Sequence, residues 1–189
     1  MKNNHNVDCV FLIPSNSKKS YQKLSETYSA IEPPTWALLL AESVRSVNFK
    51  VKIIDAAAEN LSENEIFLRI KNMSPKLICV VVYGQNVNAG TTNMSGAIQI
   101  SEFIKKNESK FIISVIGSHV QALPKETLEK EKSIDFVFTN EGVYALRNIL
   151  NLDNFTPLNL KKIKGIAYRE NENVFINPAE KVVPTEKMD

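Results

Sequence analysis

The chain has 189 residues, of which 43% are hydrophobic and 23% charged, a globular composition that excludes a disordered or coiled-coil chain and accommodates one full domain with an appendage. Its 23 basic and 21 acidic residues nearly cancel, and no Lys/Arg run is dense enough to track a phosphate backbone, so nucleic acid is not an expected partner. No apolar run approaches the roughly 20 residues of a membrane helix and the polar start Met1-Lys2-Asn3-Asn4-His5-Asn6 carries no export signal, so no membrane association and a cytoplasmic location are expected.

Val7 to Ile13 is a short apolar run stopped by Pro14, a pattern that predicts a buried strand. Ser15 to Glu32 is polar and long for a connection, the pattern of either a mobile segment or a functional loop. Pro33-Pro34 then opens a helix over Thr35 to Val47, with Trp36, Leu39, Leu40 and Val44 as its apolar face. Val51 to Ile54 reads as a second buried strand, after which Asp55 caps or turns. Ser62 and Glu65 form a capping box ahead of a helix that offers Ile66, Leu68 and Ile70 for burial.

Leu77 to Tyr83 is continuous, rich in β-branched residues and the clearest strand, placed at the sheet centre where helices cover both faces. Gly84 to Ser95 reads as a Gly/Asn/Thr-rich loop, followed by a helix containing Ala97, Ile98, Ile100, Phe103 and Ile104. Phe111 to Ile116 is the fourth strand, closed by Gly117-Ser118-His119. A short helix over Lys125 to Glu131 leads to a fifth strand, Ile134 to Phe138. Thr139-Asn140-Glu141-Gly142 then turns into a last helix ending near Leu150.

Five buried strands alternating with helices predict an α/β fold with a doubly wound, mainly parallel five-stranded sheet, Rossmann-like or flavodoxin-like. Ile163 to Arg169 and Val174 to Ile176 predict a C-terminal β-hairpin extension, and the polar tail to Asp189 reads as a linker. The expected organisation is a polar tail over residues 1–6, an α/β domain over 7–150, and the hairpin and linker over 151–189. Cys9 and Cys79 lie within apolar runs, as small buried hydrophobes do. With neither in a CxxC or Cys/His cluster, structural zinc and iron–sulfur ligation within this chain are not expected.

In an open α/β sheet the ligand crevice lies outside the carboxyl ends of the strands. Gly84, Gly117 and Gly142 fall in loops at such ends, where glycine allows close backbone approach and a following helix N-terminus offers free N–H groups. Plainer readings stand beside these: a tight turn at Gly117, a hydrogen-bonded surface residue at His119, and a favourable helix-dipole charge at Glu141. No Ser/His/Asp or Cys/His constellation, no GxxxxGK[ST] and no GxGxxG after the first strand is present. No catalytic residue and no metal ligand is therefore assigned.

Taken in order, the segments resemble the N-terminal cobalamin (B12)-binding domain of B12-dependent radical SAM enzymes. The matching elements are the strand ending in Pro14, and Glu32-Pro33-Pro34-Thr35-Trp36 opening a helix of the "PPLGLxYLAAxL" kind. Ile53-Ile54-Asp55-Ala56 ends strand two and Pro75-Lys76-Leu77-Ile78 enters strand three. Gly117-Ser118-His119 stands where the family commonly has GGxH, Asp135-Phe136-Val137-Phe138 precedes the final turn, Asn140-Glu141-Gly142 stands where GEGE is frequent, and Ile163-Lys164-Gly165-Ile166-Ala167-Tyr168-Arg169 looks like "IxGLxYR". Ser118 replaces the second glycine, Asn140 the first residue of GEGE, and Val143 its second acid.

The resemblance implies that the chain binds cobalamin through the loops after strands three, four and five. The carried-over contacts are Gly84, Gln85 and Asn86, then Gly117, Ser118 and His119, then Glu141 and Gly142. The better-known B12 signature, DxHxxG after strand one, supplies a cobalt-coordinating histidine. Here no histidine lies between Pro14 and Pro34 and His119 follows strand four, so the expectation is cobalamin bound without a histidine ligand from this domain. The resemblance further implies a partner radical SAM domain, in the same protein or in trans, that would carry the S-adenosylmethionine and iron–sulfur cluster chemistry of a methyltransferase, the chain alone being non-catalytic. Two alternatives remain open on the residues: a flavodoxin-like domain binding FMN or a nucleotide, and a degenerate protein-interaction module.

Overall fold

The structure is a computed structural model that describes residues 6–15, 33–83, 87–184 and 186. Strand β1, Val7–Ile13, has the predicted bounds, and Pro14 ends it. Helix α1 spans Thr35–Arg45 and buries Ala37, Leu40, Ala41 and Val44. The expected face is therefore only half right. The two alanines lie against the sheet, completing a 37/40/41/44 spacing suited to one helix face, while Trp36 and Leu39 are 45% and 58% exposed.

Strand β2, Val51–Asp55, is an edge strand in which only Ile54 is buried, so the expectation of a buried strand is corrected. Asp55 accepts a hydrogen bond from the Ala58 N–H (3.0 Å), making the predicted turn. Helix α2, Glu63–Met73, starts at the predicted capping box: the Glu65 carboxylate accepts from the Ser62 N–H and hydroxyl while the Ser62 Oγ accepts from the Glu65 N–H. It buries Phe67 with Ile66 and Ile70, and leaves Leu68, expected inside, 48% exposed.

Strand β3, Pro75–Val82, is the most deeply buried of the long strands. Its continuous apolar run serves two faces: Ile78, Val80 and Val82 join one core, and Leu77, Cys79 and Val81 the other, as the strand's two-residue period requires. Helix α3 runs over Val87–Asn107. The expected loop through Ser95 is thus helix from Val87 onward, tertiary packing of Gly90 and Met94 outweighing the weak helix propensity of this stretch. Strand β4, Ile113–Gly117, the short helices α4, Ser118–Ala122, and α5, Pro124–Lys130, and strand β5, Phe136–Phe138, follow, then helix α6, Val143–Leu150. The chain continues through α7, Pro157–Leu160, to the hairpin β6, Ile166–Glu170, and β7, Asn173–Ile176.

The strands form one sheet in the order β2-β1-β3-β4-β5-β6-β7. β1 to β5 pair in parallel and the hairpin extends the sheet antiparallel through β5. Strand order reverses between β1 and β3, which makes their carboxyl ends the topological switch point. One apolar core packs residues of α2, α3 and α5 on one face, and the other packs α1, α6 and α7 on the opposite face. Cys9 and Cys79 are fully buried in the second core, and burial pushes the Cys79 thiol up to about 12, the behaviour of an inert core residue.

Candidate functional site

The carboxyl ends of β1, β3, β4 and β5 carry a connected row of groups. At the end of β3, Tyr83 stacks on Trp36 from the first turn of α1, with ring centroids 4.6 Å apart and planes inclined by 25°. The Tyr83 hydroxyl accepts a hydrogen bond from the Gln121 amide of α4, and the same amide donates to the Asn140 carbonyl (2.8 Å) in the loop after β5. Asn140 in turn accepts at Oδ1 from the Gly142 N–H (3.0 Å) and donates from Nδ2 to the Glu180 carbonyl (3.1 Å). Burial raises the Tyr83 phenol to about 12 despite the opposing hydrogen bond from Gln121, so the row is uncharged at neutral pH from Trp36 to Asn140.

Gly117, the last residue of β4, pairs in register with Val82. A Cβ on it would lie 2.2 Å from the Val82 carbonyl oxygen and 2.8 Å from its carbon. Glycine is demanded there by the close approach of two strand backbones, a stronger requirement than the tight turn. Ser118 opens α4, and His119 beside it is partly exposed, its Nδ1 3.3 Å from the Thr91 hydroxyl of α3. The surface hydrogen-bonded reading of His119 holds. Gly142 adopts φ +77° ahead of α6, a left-handed conformation glycine reaches without strain.

The Glu141 carboxylate accepts from the Val183 N–H. The tail runs past this loop: Gly165 N–H donates to the Pro178 carbonyl (2.8 Å), the Asn177 N–H to the Ile166 carbonyl (2.9 Å), and the Asn177 amide to the Leu160 and Ile163 carbonyls. Residues 177–183 are thereby laid against the loops that end β5 and precede β6.

Of the residues carried over by resemblance, Gly117, Ser118 and His119 stand together at the mouth of β4. Glu141 and Gly142 stand on the adjacent loop, linked to α4 through Gln121 and Asn140. Gly84, Gln85 and Asn86 lie outside the described residues, directly between Tyr83 and α3. Sequence reasoning did not single out Trp36 and Tyr83 as a stacked pair, nor Gln121 and Asn140 as its polar continuation. Tyr83 could have been suspected from its place at the end of the central strand, whereas nothing local marks Gln121.

A separate cavity of about 310 Å³ lies on the α2/α3 side, lined by Ser15, Asn60, Ser62, Glu63, Glu65 and Gln99 among others. Its carboxylates are already engaged, Glu65 by Ser62 and Glu63 by the Gln99 amide (2.6 Å), and it includes none of the carried-over residues. Among the described residues no cluster of three His, Cys, Asp or Glu side chains could hold a metal ion, and no helix is long and apolar enough to cross a membrane.

Comparison with known proteins follows the same lines. A family model described as B12 binding domain matches residues 22–150. An uncharacterized methyltransferase of Pyrococcus horikoshii is 31% identical over 147 residues, 77% of this chain and 30% of that protein; the chain therefore spans less than a third of that curated relative. The radical S-adenosylmethionine methyltransferase TsrM of Kitasatospora setae, solved with tryptophan substrate and an S-adenosylmethionine analogue bound, superposes with a TM-score of 0.66. The match covers 90% of this chain and 30% of the other at 14% identity. OxsB, a cobalamin-dependent S-adenosylmethionine radical enzyme, superposes with a TM-score of 0.61 over 93% of this chain and 23% of its own at 20% identity. At these identities the two structures establish a shared fold.

Proposed function

The chain belongs to the B12-binding domain family, and from that membership we propose that it binds cobalamin at the carboxyl edge of its sheet, without giving the cobalt a histidine, as the cofactor domain of a larger radical SAM methyltransferase. In this reading residues 7–150 form the cofactor domain, and residues 151–189 extend it toward the catalytic domain. Cobalamin would supply a methyl-carrying cobalt centre, and this chain's part is to hold and orient the corrin.

The observation that carries the reading is the row Trp36, Tyr83, Gln121, Asn140 at the topological switch point. A corrin is a broad apolar ring fringed with amides, and it suits an exposed aromatic face flanked by neutral groups that both donate and accept. Ser118 and His119 add side-chain hydrogen-bonding groups at the neighbouring strand end. The Glu141 carboxylate accepts from the Val183 N–H at Oε1, and its second oxygen can still accept from a corrin amide. The place of His119 supports the absence of axial ligation, since it follows β4 and not β1.

The test uses the chain's single tryptophan. Titration with hydroxocobalamin is expected to quench Trp36 fluorescence, because the corrin's visible and near-ultraviolet absorption overlaps the indole emission. It should saturate at one equivalent with a Kd on the order of micromolar or tighter, and the protein should remain coloured after desalting. The bound spectrum is expected to be unchanged in His119→Ala. A colourless desalted protein would refute cobalamin binding, a tightly held flavin in its place would support the FMN alternative, and loss of an imidazole-ligated cobalt spectrum in His119→Ala would refute the absence of a histidine ligand.

A further inference from the structure

On the reading that cobalamin lies against these loops, and resting on it, we infer that Gly90 is a positioning residue of the site, matched to Ser118 so that the absent Cβ of one makes room for the hydroxyl of the other. Gly90 is buried in the first turn of α3. A Cβ on it would fall 2.1 Å from the Ser118 Oγ, 3.5 Å from the Ser118 Cβ and 3.4 Å from the Val82 carbonyl oxygen. A glycine inside a helix costs up to about 1 kcal/mol relative to alanine, so its presence here opposes the local preference and is explained by what stands across from it.

Val82 ties the arrangement together. Its carbonyl is the atom that Gly117 approaches from β4 and that Gly90 faces from α3. The end of β3, the start of α3 and the start of α4 thus meet at one point, and the His119–Thr91 contact bridges the same two helices one residue further on. The separation between the start of α3 and the start of α4 is therefore set by the Gly90–Ser118 contact.

Ser118 is also the position where the resembled family commonly has its second glycine. A serine is accommodated because residue 90 has no side chain, and either residue could carry a β-substituent if the other did not.

The test is a double-variant comparison in the full chain, read by hydroxocobalamin titration together with thermal unfolding. Gly90→Ala is expected to weaken binding about tenfold or more, a shift of at least about 1.4 kcal/mol, with its Tm lowered by no more than a few degrees. Ser118→Gly removes a hydroxyl of the site and serves as the second background of the cycle: whatever it costs by itself, adding Gly90→Ala to it is expected to change the affinity by no more than about threefold. Should Gly90→Ala not fold, the double variant with Ser118→Gly is expected to fold and to bind within about threefold of Ser118→Gly, and its failure to fold would overturn the inference. Wild-type affinity in Gly90→Ala, or the same tenfold loss from Gly90→Ala in the Ser118→Gly background, would overturn the inference while leaving the cobalamin reading intact. Failure of the wild-type chain to bind overturns the reading itself and the inference with it.

Discussion

Tyr83 provides the most quantitative check on the geometry of the shelf. Its phenol has an ordinary value of 10.0 and is raised to about 12, chiefly by burial against the second core. A raised folded-state value means that the native state holds the proton after the unfolded chain has lost it. The associated stability is fully present below pH 10 and is lost as pH rises toward 12. For these two values the loss at pH 11 is about 1.4 kcal/mol, and the partial exposure of the ring reduces the expectation to about 1 kcal/mol. With a urea m-value of about 2 kcal/mol/M for a domain of this size, the midpoint should fall by about 0.5 M between pH 9 and pH 11.

The comparison protein is Tyr83→Phe, which keeps the ring against Trp36 and removes the ionisation. It should be less stable at pH 9 by about 1 kcal/mol, the worth of the hydroxyl–Gln121 hydrogen bond, and should lack the Tyr83 part of the alkaline decline. Tyr168, which burial also raises, is common to both proteins and cancels in the difference. Because Trp36 stacks on Tyr83, its fluorescence should be quenched as the phenolate forms, with a midpoint near that of Tyr83 in wild type and not in Tyr83→Phe. Parallel urea midpoints for the two proteins from pH 9 to 11 would refute both the burial of this phenol and the sign of the linkage.

Gly117→Ala is expected to cost about 3 kcal/mol or more in urea unfolding, because its Cβ would meet the Val82 backbone and not a movable side chain. Lys76 donates to the Leu150 and Leu152 carbonyls beyond the end of α6 and lies over the Phe155 ring. Lys76→Met should therefore destabilise by about 1–3 kcal/mol, leaving those acceptors unpaired while retaining the apolar stem. Asp135 accepts from the Ile113 N–H (2.7 Å) and pairs with Lys105 (2.7 Å). Asp135→Ala should cost about 2–4 kcal/mol and Asp135→Asn distinctly less, since asparagine can still accept from Ile113; equal losses would show the Ile113 bond to be unimportant.

Features whose causes lie within a few residues were legible in the sequence. β1 is a run bounded by a proline, α2 begins at a reciprocal capping box, and β3 is apolar from Leu77 onward because both faces are covered. Where the outcome depended on a distant partner, sequence reasoning erred. The buried faces of α1 and α2 use Ala37, Ala41 and Phe67 in place of Trp36, Leu39 and Leu68, because hydrophobicity alone does not say how close the helix lies to the sheet. Residues 87–95 have a loop-like composition, yet they are helical where Gly90 and Met94 pack.

At the site, the order of weak motifs located Gly117, Ser118, His119, Glu141 and Gly142 at neighbouring strand ends. Their individual roles were less readable. Gly117 answers to the Val82 backbone, and Glu141 to an amide 42 residues downstream.

That last contact bears on where the folded unit stops. Asn140, Gly165 and Glu141 all spend hydrogen-bonding groups on residues 178–183, so the tail is bound as a clasp along the shelf. A version shortened to Leu150 would strip the hairpin from β5 and leave the loop that contains Glu141 without its fastening. One ending at Ile176 would keep every strand and still lose the clasp. A segment joined downstream of Val183 would be tethered through that residue to the Glu141 loop, which flanks the candidate cofactor bed.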